Sequence, residues 1–167
     1  MTLRAKFLIV SIALITVFGS CTESAQPNEP LKRQRVEPQF RHDGYLWVVD
    51  DTSSDTITSL RIEIVEKQRD IQYGMMFRSS MELHTGMLFL MKQERPQSFY
   101  MKNTLIPLDI IYINSNKEVV SIIENAEPLS EKSLPSGKPA IYILEVPGGY
   151  SQQQGIKVGD KITYKRR

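Results

Sequence analysis

Apolar and polar residues alternate with a period of two through most of the chain beyond Tyr45. In "TSLRIEIVE" Leu60, Ile62 and Ile64 oppose Arg61 and Glu63, as in a strand with one face in water. "LDIIYINSNKEVVSII" sets two apolar runs around Ser115, Asn116 and Lys117, which is a hairpin signal with polar turn residues. "YLWVV", "GMLFLM", "QSFYM", "AIYILEV" and "DKITYK" are further strand candidates. Helical spacing is confined to two short pieces. In "EKQRDIQYGMM" Ile71 and Met75 share a face, and in "YSQQQG" Gly155 stands where a helix would stop. About eight strands with little helix predict an all-β fold with minor short helices, a compact single-domain sandwich or partly closed barrel.

The period-two pattern does not reach the N-terminus. "MTLRAK" carries two positive charges, "FLIVSIALITVF" is an apolar run of signal-peptide length, and "GSC" brings small residues before Cys21. This arrangement predicts a lipoprotein signal over residues 1–20, with Cys21 as the lipidated residue, and Thr22 in place of Asp favours the outer membrane of a two-membrane cell. Residues 21–44 hold three prolines and many charges without an apolar period, so they predict a disordered tether. Residues 45–167 form the expected domain.

Composition narrows the function classes. The 21 basic and 19 acidic residues become 19 against 19 once Arg4 and Lys6 leave with the signal, a balance that argues against nucleic acid as a partner. Cys21 is the only cysteine, so neither a disulfide nor a zinc-thiolate site is expected. There is no G-x-S-x-G elbow and no Gly-rich phosphate loop. No cofactor or metal is expected.

"FYMKNTLIPLDIIYI" interrupts the apolar pattern with Lys102, Asn103 and Asp109. As a strand, "LDIIYI" puts Asp109 on one face with Ile111 and Ile113, and Glu145 likewise shares a face with Ile141 and Ile143. A carboxylate among apolar neighbours needs a partner, because an uncompensated buried charge costs several kcal/mol. Lys102, Asn103 and Arg78 are the candidate partners of Asp109. These residues are expected to converge, either as a structural knot or as a polar pocket lined by Arg78, Lys102, Asn103, Asp109 and Glu145, with Phe99 and Tyr100 flanking it. Asp109 and Glu145 could also serve as the acid and base of a glycan hydrolase. Met75, Met76, Met81, Met87, Met91 and Met101, with His84 among them, raise Cu(I) as a third reading, and plain core filling is the favoured account of them.

"YGMMFRSSMELHTGMLFLM", "FYMKNTLIPLDIIYINSNKEVVSI" and "AIYILEVPGGYSQQQGIKVGDKI" together resemble the signature blocks of the family called domain of unknown function 192. Tyr100 stands where Trp is commoner in that family, and Met75 where Leu is. The resemblance implies a small exported or membrane-tethered protein with a compact, mostly β, jelly-roll-like fold, and it implies no activity. The combined expectation is a cell-envelope lipoprotein, membrane-bound through its N-terminal lipid, whose β-domain binds a small polar molecule or a glycan.

Overall fold

The structure is a computed structural model, and residues 36–167 are described. The expected signal, Cys21 and most of the expected tether lie outside the described residues. Among the described residues, seven strands and two short helices follow in the order β1 (Gly44–Val49), β2 (Thr56–Val65), α1 (Gln68–Tyr73), β3 (Thr85–Phe99), β4 (Leu108–Ile113), β5 (Val119–Ala126), β6 (Leu134–Pro147), α2 (Tyr150–Gln154) and β7 (Lys161–Arg166). They build one curled, half-barrel sheet in the order β5-β4-β6-β3-β2-β1-β7. Only β2 and β3 pair in parallel, and α1 lies in the crossover between them.

Alternation along the central strands gives the sheet two apolar faces. Leu88, Leu144 and Val146 join Leu46, Ile62, Ile111, Ile113 and Tyr150 in one cluster. Met87, Phe89 and Ile143 point the other way and pack with Met75, Met101, Ile110 and Tyr112. Burying a Leu, Ile or Phe side chain in either cluster contributes about 1.5–3 kcal/mol, so both faces hold the sheet without a disulfide.

Four sequence expectations change in detail. "GMLFLM" and "QSFYM" are parts of one strand, β3, whose polar middle "KQERPQ" coincides with register shifts between Leu90 and Arg95 and between Pro96 and Ser98. Pro96 lacks a backbone donor, which suits it to such an irregular stretch. Glu63 is not on a wet face: both sides of the second half of β2 are covered, and Glu63 is buried. The helix predicted to carry both Ile71 and Met75 ends at Tyr73, because Gly74 takes a positive φ of 45° and donates its N–H to Asp70 O. Finally, the last part of the expected tether is docked. Glu37 accepts hydrogen bonds from Ser79 N and Oγ, Asp43 accepts from Ile64 N, and Gly44 already belongs to β1. These charged side chains find backbone partners on the domain, which the absence of an apolar period could not reveal.

Candidate functional site

β4 lies antiparallel to β6 with Asp109 opposite Val146 and Ile110 opposite Glu145. Directly opposed residues share a face, so Asp109 and Glu145 project to opposite sides of the sheet. The acid pair required for glycan hydrolysis is therefore not assembled from these two residues.

Asp109 is fully buried, and its carboxylate is committed to backbone. Oδ1 accepts from Asn125 N and Gly149 N at 2.8 Å each, and Oδ2 accepts from Ser151 N at 2.7 Å. The negative charge thereby ties β5 to the start of α2, where unpaired helical N–H groups favour an anion. The expected partners Lys102, Asn103 and Arg78 play no part in this. Arg78 is buried against Glu63, Nη1 to Oε1 at 2.5 Å and Nη2 to Oε2 at 3.0 Å. Lys102 lies on the surface and pairs with Glu131 at 3.3 Å. Asn103 adopts a positive φ of 56° in the loop after Met101, with Nδ2 3.8 Å from Met76 Sδ.

Glu145 occupies a different setting. It lines a cavity of about 380 Å³ between α1 and the irregular half of β3, within the range of small-molecule pockets. Ile71, Tyr73, Met75 and Met76 form one wall, and Phe89, Met91, Phe99 and Tyr100 the other. Gln72, Arg95 and Ser98 are exposed lining residues and supply polar groups. Glu145 Oε2 is buried and has no hydrogen-bond partner among the described residues. Burial pushes the carboxyl up to about 8, an effect that Arg78 offsets only in part. Near neutral pH this side chain is consequently a carboxylic acid, able to donate one hydrogen bond and accept another. Gly74 lies above it: a Cβ there would stand 3.3 Å from Phe89 Cζ and 3.9 Å from Glu145 Oε2.

Of the residues singled out in the sequence, the cavity gathers Glu145, Tyr100 and Phe99, and Asn103 braces its Met76 wall. Arg78, Lys102 and Asp109 do not line it. The contribution of α1 and Gly74 was missed, although the Gly after "DIQY" is a helix-stop signal that places the next residues over β3. The methionines are spread through the packing: Met75, Met87 and Met101 are buried in one cluster, with Met81 and Met91 against it. His84 is turned to Tyr150 instead, with Nδ1 2.8 Å from the phenol oxygen. Among the described residues no helix is long and apolar enough to cross a membrane.

Solved structures share this fold. A protein from Sinorhizobium meliloti 1021 described as a "putative transcription regulator" matches with a TM-score of 0.70 and 31% identity, over 78% of this chain and 97% of that one. A protein of unknown function from Novosphingobium aromaticivorans DSM 12444 matches with a TM-score of 0.67 and 34% identity, over 71% of this chain and 83% of that one. No curated protein matches the chain. The family model described as Uncharacterized ACR matches residues 49–164, nearly all of the folded domain, and the chain belongs to that family, DUF192.

Proposed function

We propose that this protein is a cell-envelope lipoprotein, anchored through Cys21, whose β-domain binds a small hydroxylated ligand in the cavity over Glu145. The observation that carries the reading is the buried Glu145 Oε2, which lacks a hydrogen-bond partner among the described residues while its residue lines a pocket of mixed aromatic, apolar and polar side chains. A buried polar atom left unpaired costs about 1–3 kcal/mol, and a ligand that supplies the missing hydrogen bond recovers that cost. The neutral acid favours an uncharged partner that both donates and accepts. Sugar units of envelope glycans meet both demands, with hydroxyls for the carboxyl and a C–H face for Phe99 and Tyr100. A lipid anchor at Cys21, the other half of the proposal, would set the domain among such glycans.

The test is a thermal-shift panel of sugars and polyols against the wild type and Glu145→Leu. Leu fills the position without a polar group and without a charge to bury, so loss of binding is separable from loss of folding. At least one compound is expected to raise the wild-type midpoint and to leave the variant unmoved. The reading fails if no compound acts, or if the shift survives in the Leu variant.

A further inference from the structure

A second cluster of carboxyl groups lies where β1 ends and β7 begins. Val49 pairs with Lys161 across these antiparallel strands, so Asp50 and Asp160 are adjacent just beyond the last pair. Asp51 follows in the turn, and the three side chains each bring an oxygen within 4.8 Å of the others. Gly159 makes room for this: its φ is 103°, and a Cβ there would stand 3.2 Å from Asp51 Oδ2. Proximity alone is common among acidic turn residues. The independent observation is Asp160, which is fully buried, with Oδ2 accepting from Lys157 N and Oδ1 having no hydrogen-bond partner among the described residues.

The cation already present is Lys157. Its ammonium lies 2.9 Å from Asp50 Oδ2 and 3.7 Å from Asp51 Oδ1, and the side chain is 55% exposed. One positive charge thus faces three carboxylates. An exposed ammonium can withdraw into water at little cost, since solvent-exposed ion pairs are weak. Three carboxylate oxygens this close can share one cation. Ca²⁺ accepts irregular sets of oxygen ligands at about 2.3–2.6 Å, whereas Mg²⁺ demands near-octahedral geometry at about 2.1 Å and gives up its waters reluctantly, so a turn of carboxylates suits Ca²⁺ better.

We propose that Asp50, Asp51 and Asp160 form a Ca²⁺ site for which the Lys157 ammonium is a built-in competitor. Asp160 supplies the buried oxygen, Asp51 the exposed one, and Asp50 the Oδ2 that Lys157 releases. Asp50 Oδ1 stays with Thr52 and Ser53, which keeps the turn in shape while the cation exchanges. The site shares no residue with the cavity over Glu145 and stands or falls apart from it.

The experiment is a calorimetric titration of the full chain with CaCl₂, and with MgCl₂ as the comparison. Binding at one Ca²⁺ per chain is expected in the range of weak extracellular sites, about 10⁻⁴–10⁻³ M, with Mg²⁺ weaker. Lys157→Met is expected to tighten Ca²⁺ binding by about tenfold, because a competing charge is removed. Asp51→Asn, at an exposed position where folding is safe, is expected to weaken it by a similar factor, and Asp160→Asn to abolish it. Absence of stoichiometric Ca²⁺ binding in both the wild type and Lys157→Met overturns the proposal. So does binding that Asp51→Asn leaves unchanged, or that Lys157→Met weakens.

Discussion

Arg78 holds Glu63 with both terminal guanidinium nitrogens, although the two residues are separated in sequence by α1 and come from a strand and a loop. Both are buried, Glu63 at 2% exposure and Arg78 at 7%. Removing Glu63 leaves the Arg78 guanidinium desolvated, and removing Arg78 leaves the buried Glu63 with only the exposed Arg41, whose Nε lies 3.7 Å from Oε2. Arg78→Met or Glu63→Leu alone is therefore expected to cost about 3–5 kcal/mol in urea unfolding, and the double replacement is expected to recover most of that loss. Lys102→Met is the contrast. Both side chains of its pair with Glu131 are exposed, so the unfolding free energy should move by no more than about 1 kcal/mol.

Asp109→Asn tests the other buried carboxylate. Asn keeps one acceptor oxygen but turns an NH₂ toward backbone donors, so at least one of the amides of Asn125, Gly149 and Ser151 is left unpaired. A loss of roughly 1–3 kcal/mol is expected for each orphaned amide. Asp109 and Lys102 share no hydrogen-bond partner, so the effects of Asp109→Asn and Lys102→Met should add within about 0.5 kcal/mol. Strong coupling between them would restore the convergence that the sequence suggested.

The extent to which the fold was legible follows from these same residues. Alternation gave the strands, because period two is a local property of the chain, and it placed Asp109 with Ile111 and Glu145 with Ile143 correctly. It could not say which faces of neighbouring strands coincide. That depends on the β4–β6 register, a non-local quantity, and the register sends the two acids apart. Glu63 shows the same limit: alternation with Ile62 and Ile64 reads as exposure until a second layer covers the wet face. The cavity was partly legible through Tyr100 and Phe99. Glu145 was legible with them, but the α1 wall was not, since it meets β3 only when the β2–β3 crossover folds back over it.

Processing at Cys21 is open to a direct check. Cys21→Ser is expected to move the protein from the membrane fraction to the soluble fraction, or to leave an uncleaved precursor. Cell fractionation with intact-mass measurement reads both outcomes. Unchanged partitioning together with an unchanged mature mass would remove the lipid anchor from the proposed function.

Glu145 makes the stability of the domain depend on pH in a window that few other groups share. Its folded carboxyl titrates near 8, raised from an ordinary 4.5 mainly by burial. Between those two values the folded chain keeps a proton that the unfolded chain gives up, so stability falls as pH rises. The contribution is fully present below the unfolded value and is lost as pH passes through the folded one. Asp50, Glu37 and Glu94 are shifted downward and act at lower pH, while Lys157, Tyr150 and Tyr164 are shifted upward from values already alkaline. Glu145→Gln removes the ionisable group while keeping the shape. The wild type and this variant should therefore be close in stability near pH 5, and the variant should gain an advantage on the order of a few kcal/mol by about pH 9. Urea unfolding across that range measures the difference, and parallel curves would mean that Glu145 ionises without cost in the folded state. Ligand binding in the cavity should hold up to about neutral pH and weaken as pH passes through about 8, because the ionised carboxyl no longer donates a hydrogen bond.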